Sequence, residues 1–148
     1  MGRSEMVRVF VYGTLQPGER FHLPYCGDRV RVEGEALASG RLYHLPGLNY
    51  PAMTRELGWV QGVVLSFDDP QAILKLDTLE GFVGDRDPAS NEYNRYEVEV
   101  FDVEDKSRSR GVAWAYYMSG EKVREYGGIW LPGGVWRQAQ LPELGLEG

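Results

Sequence analysis

The stretch Asp69-Pro70-Gln71-Ala72-Ile73-Leu74-Lys75-Leu76-Asp77-Thr78-Leu79-Glu80-Gly81 reads as one short helix, the single convincing helix in the chain. Asp68 or Asp69 can cap its start, Pro70 suits the first helical position, and Gly81 suits the end. At about 100° per residue, Ala72, Ile73, Leu76 and Leu79 form one apolar stripe. Glu80 falls inside that arc, Lys75 and Thr78 project away from it, and Asp77 sits near its edge. A carboxylate on a buried face is costly unless paired, and burial raises its pKa towards the range useful to a general base. The competing reading is a helix that frays at Gly81 and leaves Glu80 in water.

Outward from this helix the chain reads mostly as strands. Trp59 to Phe67 leads directly into it, and Val7-Arg8-Val9-Phe10-Val11-Tyr12 is β-branched and aromatic, ending at Gly13. Val30 to Leu37 alternates and then meets Gly40-Arg41-Leu42-Tyr43. Between Arg95 and Val103, Tyr96, Val98 and Val100 share one face with Glu97 and Glu99 opposite, as in an antiparallel strand with one wet face. A turn-rich segment, Glu104 to Arg110, returns the chain into Gly111 to Met118. Five or six strands around one helix predict an α+β fold, a small and mainly antiparallel barrel-like sheet flanked by helices. Glu121 to Tyr126 suits a turn of helix, and the segment after Gly127, with Trp130 and Trp136, reads as an irregular strap over apolar surface. With 148 residues and neither repeat nor linker, the expectation is one domain over 1–148, the strap starting at about 121.

Charge and cysteine usage exclude several classes. The net charge is −6 and the 16 basic residues are scattered, which leaves no electrostatic footprint for nucleic acid. Lys106, Arg108 and Arg110 cluster locally, but Glu104 and Asp105 beside them suggest a solvated hairpin tip. Cys26 is alone, so an internal disulfide is excluded. His22 stands four residues before it without a third orienting group, and His22 and His44 have no acidic cluster beside them, which argues against zinc. No run of about 18 apolar residues offers a membrane span. The start lacks a secretory hydrophobic region, and Met6 stands where myristoylation wants Ser or Thr. A cytoplasmic enzyme or binding domain is the expectation.

Two further constellations carry possible chemistry. Tyr12-Gly13-Thr14-Leu15-Gln16-Pro17-Gly18 is a sharp loop after the first strand. Glycine there permits angles that align successive N–H groups into a nest for a carboxylate, although an ordinary turn looks the same. Neither GxGxxG nor GxxxxGK[ST] is present, so this is not a phosphate loop. In Tyr93-Asn94-Arg95-Tyr96, Arg95 can clamp a carboxylate through two parallel hydrogen bonds, or simply pair with Glu97 or Glu99.

Together these pieces resemble the gamma-glutamylcyclotransferase-like family, in particular its AIG2-like and gamma-glutamylamine cyclotransferase branch. The carriers are Val9-Phe10-Val11-Tyr12-Gly13-Thr14-Leu15 with Gly18, Leu76-Asp77-Thr78-Leu79-Glu80-Gly81, and Tyr93-Asn94-Arg95 before the alternating strand. Ala113-Trp114-Ala115-Tyr116, Gly40-Arg41-Leu42-Tyr43 and Tyr50-Pro51-Ala52 add to them, so the likeness runs from about Val7 to Tyr117. The resemblance implies a small β-barrel flanked by helices and release of 5-oxoproline from a small-molecule gamma-glutamyl substrate, with no metal or organic cofactor. It also implies that Glu80 is the catalytic glutamate, that Tyr12, Gly13, Thr14 and Leu15 hold the glutamyl moiety, and that Tyr93, Arg95 and Tyr116 lie near the cavity.

Two other classes remain open on the sequence. A binding module would hold an amino-acid-like ligand without turning it over. A partner-binding domain would have a filled barrel and no cavity beside Glu80. The polar loop Phe82 to Glu92 is of the kind that shapes a pocket, and carries no pattern that identifies a leaving group.

Overall fold

The computed structural model describes residues 7–13, 15–16, 30–48 and 50–136. Thr14, Gly18, His22 and Cys26, all singled out in the sequence, lie outside the described residues.

A long hairpin carries the fold. Strand β2 (Val30–Leu45) pairs antiparallel with β3 (Tyr50–Phe67) from Val30 opposite Phe67 to Leu45 opposite Tyr50, with bulges between Val32 and Gly34 and between Ser39 and Arg41. Bulges bend and twist a strand, and here they curl the ribbon. Strand β1 (Val7–Val11) adds to the other edge of β3, Val7 opposite Phe67 and Val11 opposite Val63. A second antiparallel ladder forms from β4 (Asn94–Phe101) and β5 (Ser109–Tyr117). Two narrow seams join the ladders, one parallel pairing of Val9 with Trp114 and one antiparallel pairing of Leu37 with Phe101. The five strands thereby close into a ring, and a two-residue strand β6 (Ile129–Trp130) pairs outside it with Tyr43 and His44. The mixed, mainly antiparallel α+β class expected from the sequence is the one observed.

Both faces of β1 are buried, which accounts for its unbroken apolar run. Phe10 joins a cluster with Ala36, Ala38, Met53, Val64, Val100 and Ala115, drawn from all five ring strands as the inside of a ring requires. Val9 and Val11 point the other way, into a cluster with Leu65, Phe67, Ile73 and Leu76. Helix α1 (Ala72–Glu80) covers that outer face with Ile73 and Leu76, each contributing roughly 1.5–3 kcal/mol by burial.

Helix α1 starts later than the sequence suggests. Asp69 accepts the Gln71 N–H at 2.9 Å in a turn before the first helical residue, so Pro70 and Gln71 belong to that turn. The end falls at Gly81, whose left-handed φ of 70° lets its own N–H and that of Phe82 reach the carbonyls of Thr78 and Asp77. Asp77, placed at the edge of the stripe by periodicity, is buried. Helix α2 (Gly120–Glu125) is capped by Ser119. The segment beyond it is partly regular, through β6, and ends the described chain with Trp136 buried and its indole N–H donating to His44 Nδ1 at 3.1 Å.

Candidate active site

Where β1 and β5 part after their single pairing, a cavity of about 140 Å³ opens. Its walls are Phe10 to Gly13 and Leu15 at the end of β1, Tyr50 and Pro51 at the start of β3, Leu79 to Gly81 at the end of α1, and Glu92, Tyr93 and Tyr116. A dry cavity of about this size is known to hold a benzene-sized molecule, so the enclosed space is small and a longer ligand must extend through the mouth.

Glu80 is the last residue of α1 and faces this space. It keeps part of its surface accessible at the cavity wall, and has neither hydrogen bond nor ion pair among the described residues. Burial pushes its carboxyl up to about 8, and the nearby charges of Asp77 and Glu92 push in the same direction. All three causes disfavour the ionised form, and none of the three is an opposite charge. A frayed, solvated Glu80 is therefore not what forms.

The tyrosines in the wall have already spent their protons. Tyr12 donates to the Tyr116 carbonyl at 2.7 Å and accepts from the Met53 N–H at 3.2 Å. Tyr93 donates to the Pro51 carbonyl at 2.6 Å, and Tyr116 donates to Asp77 Oδ1 at 2.6 Å. A phenol has one proton to give, so these oxygens can only accept from a ligand. Burial raises the pKa of all three, which keeps them protonated.

Arg95 stands behind the wall. Its Nε lies 2.9 Å from Asp77 Oδ1, an ion pair whose angle is too poor for a hydrogen bond, and its guanidinium centre sits 4.4 Å from the Trp114 ring centroid and 5.1 Å from that of Phe82. Arg95 and Tyr116 are direct cross-strand partners, and both reach Asp77. Neither Glu97 nor Glu99 takes the guanidinium, and Arg95 is not among the cavity-lining residues.

The structure thus brings Tyr12, Gly13, Leu15, Glu80, Tyr93 and Tyr116 to one cavity, and sets Arg95 outside it. Thr14 lies outside the described residues. Gly13 is needed for a reason other than the one its sequence suggests. Its φ is not positive, but a Cβ there would stand 2.6 Å from Pro51 Cγ, so the residue is small to let β3 approach. Sequence reasoning missed Asp77 and Glu92. Glu92 sits at the rim, where Oε2 accepts from the Tyr50 hydroxyl at 3.3 Å and Oε1 from the Tyr126 hydroxyl at 2.9 Å. The presence of a cavity beside Glu80 is the feature that a purely structural domain was expected to lack. Among the described residues no group of three or more His, Cys, Asp or Glu is placed to hold a metal, and no helix is long and apolar enough to cross a membrane.

Comparison with known proteins gives a consistent picture of the fold. The family model described as gamma-glutamyl cyclotransferase, AIG2-like, matches residues 9–138. A mouse AIG2-like protein, GGACT, superposes with a TM-score of 0.72 at 21% identity, covering 94% of this chain and 92% of its own. YkqA from Bacillus subtilis gives 0.63 at 21% identity, with 97% of this chain matched to 44% of that larger protein. The ytfP protein of Escherichia coli gives 0.60 at 23% identity, over 91% of this chain and 100% of its own. No curated protein sequence matches the chain.

Proposed function

Since the chain belongs to the AIG2-like gamma-glutamyl cyclotransferase family, we propose that it releases 5-oxoproline from a gamma-glutamyl amine or dipeptide, with Glu80 as general base and acid. The observation that carries this reading is a carboxyl, unpaired among the described residues and pushed up to about 8, on the wall of a small cavity at the end of β1.

The substrate brings its own nucleophile. Its α-amino group lies a few bonds from the gamma-carbonyl, so ring closure is intramolecular and needs positioning more than it needs a protein nucleophile. The amine arrives as an ammonium. Glu80 as carboxylate takes one proton from it, and the freed nitrogen attacks the gamma-carbonyl carbon to close a five-membered ring. Glu80 gives that proton to the departing nitrogen as the C–N bond breaks. It then passes on the second proton that the ring nitrogen must shed, so the leaving amine departs as an ammonium and Glu80 ends as it began. Because the wall tyrosine hydroxyls are committed as donors within the protein, this reading assigns the substrate carboxylate or the developing oxyanion to backbone N–H groups at the end of β1, among the described residues. The acceptor oxygens of Tyr93 and Tyr116 suit the ammonium.

The test is 5-oxoproline release from ε-(gamma-glutamyl)lysine, gamma-glutamyl dipeptides and glutathione, beside Glu80→Gln. We expect turnover of at least one compound and a loss of roughly 10²–10⁴ in the variant. A folded Glu80→Gln protein with full activity would refute the mechanism.

A further inference from the structure

Within that reading, we infer that the strap beyond α2 braces the turn at the end of β1, with Gln16 and Trp136 as positioning residues that hold the turn's N–H groups on the substrate. The β1–β3 ladder ends at Val11 opposite Val63, so the turn that follows, residues 12–16, lies beyond it. Gly13 and Leu15 of that turn line the cavity. The turn closes on itself where the Gln16 backbone N–H donates to the Gly13 carbonyl at 3.0 Å. Its tie to the strap is the Gln16 side chain. One amide N–H donates to the Trp136 carbonyl at 2.8 Å, 120 residues along the chain, and the other reaches the Gly13 carbonyl at 3.4 Å. Gln16 is buried, and a buried amide is costly unless bonded. An apolar side chain would fill the same space at less cost; what the amide adds is a fixed link between turn and strap.

The strap is firm enough to serve as the far anchor. Strand β6 pairs with Tyr43 and His44, and the Leu131 N–H extends that pairing to the Leu42 carbonyl at 2.8 Å. A turn then closes with the Gly134 N–H on the Leu131 carbonyl at 2.9 Å, and the Gly134 carbonyl accepts the Gln61 N–H of β3 at 2.7 Å. Gly134 has a left-handed φ of 71°, and a Cβ there would collide with the Trp59 carbonyl, so only glycine lets the strap lie this close to β3. Trp136 follows, buried in the inner cluster with Phe10 and Met53, its indole N–H held by His44 Nδ1. Burial pushes the His44 imidazole down, which keeps it neutral and leaves Nδ1 able to accept. His44 stands opposite Pro51, whose carbonyl takes the Tyr93 proton at the cavity wall. The contacts from Gly13 through Gln16 and Trp136 to His44 thus tie the turn to β2 and β3. Binding groups misplaced by about 1 Å cost about 10²-fold in rate, which is what such a tie prevents.

The test is Gln16→Met, which keeps the length of the side chain and loses both of its N–H groups. On whichever gamma-glutamyl compound the wild type turns over, kcat/KM should fall by roughly 10- to 100-fold. Part of that loss should be a rise in KM, which a smaller folded fraction cannot produce. Amide exchange in residues 12–16, read by mass spectrometry, should quicken by about tenfold while the middle of the β2–β3 ribbon keeps its rate. Trp136→Phe keeps the carbonyl and loses the indole N–H, so it should give the same changes in smaller degree. In the double variant it should add nothing to Gln16→Met, because both act through one chain of contacts. It carries the test alone if Gln16→Met does not fold. Losses that multiply in the double variant, a fall in kcat with KM unchanged, or a turn whose exchange ignores Gln16→Met would overturn the brace and leave the cyclotransferase reading standing. Faster exchange in the turn of a protein that turns over no gamma-glutamyl compound would uphold the brace and overturn the reaction.

Discussion

Replacing Glu80 with Gln should make the folded protein more stable in alkali while abolishing its proposed activity. In the folded chain the carboxyl is pushed from its ordinary 4.5 to about 8. The native state therefore holds a proton that the unfolded state releases, and between those two values every rise in pH favours unfolding. The contribution is full below about pH 4.5 and lost once the pH passes about 8. Those 3.5 pH units, at about 1.36 kcal/mol each, set a ceiling of roughly 5 kcal/mol. Glu80 faces a cavity that admits solvent, which reduces the penalty, so a gain of about 2 kcal/mol for Glu80→Gln at pH 9 is the working figure. At pH 5 the wild-type side chain is neutral and the two proteins should agree closely. Urea denaturation of both at pH 5 and pH 9 measures this directly, and two-state behaviour is expected for a chain of this length. If Glu80→Gln shows the same offset at both pH values, or no gain at pH 9, the carboxyl is not desolvated as described and its role as a tuned base loses its physical ground.

Three further outcomes follow from the site. For a substrate whose own amine stays protonated, kcat/KM should rise with pH through a midpoint near 8 as free Glu80 ionises; a midpoint near 4.5 in the pH–rate profile would contradict the burial described. Arg95→Met should cost about 3–5 kcal/mol in denaturant unfolding because it leaves buried Asp77 without its counter-charge, and Arg95→Met with Asp77→Asn should recover much of that; additive losses would deny the pairing. Gly13→Ala should depress activity, with a smaller loss of stability, because the new methyl would meet the Pro51 ring at 2.6 Å at the cavity wall; unchanged kcat/KM would show that the loop and β3 can part freely.

The sequence carried the class of the fold because the ring strands that bury one face alternate and the strand that buries two does not, as β4 and β1 show. It fell short in the first half of β3. Pro51 and the run Arg55-Glu56-Leu57-Gly58 look like breakers there, yet pairing across from Arg41 to Leu45 holds Tyr50 to Thr54 in the sheet. Glu80 was legible because helical period alone puts it on the packed face. Asp77 was not, since its burial depends on two side chains from another ladder, Arg95 and Tyr116, and their shared reach follows from strand register rather than from spacing along the chain. Glu92 was hidden for a similar reason. It sits in a loop, and the tyrosines that hold it lie 42 and 34 residues away.

The narrow seams of the ring have a mechanical consequence. One ladder brings β1 and β3 to the cavity, and the other brings Tyr93 and Tyr116, while among the described residues the strand pairings that join them are Val9–Trp114 and Leu37–Phe101, helped by the Met118 N–H bond to the Met53 carbonyl and by the Tyr12 and Tyr93 hydroxyl bonds across the gap. Each ladder is a stiff plate, and the seams are the compliant joints between plates. A molecule lodged between Pro51 on one plate and Tyr116 on the other acts as a rivet, lending to the assembly a rigidity that the backbone alone supplies sparingly. Amide protons beside the seams should then exchange fastest in the empty protein and slow most when the cavity is filled, while those in the middle of the β2–β3 ribbon hardly change.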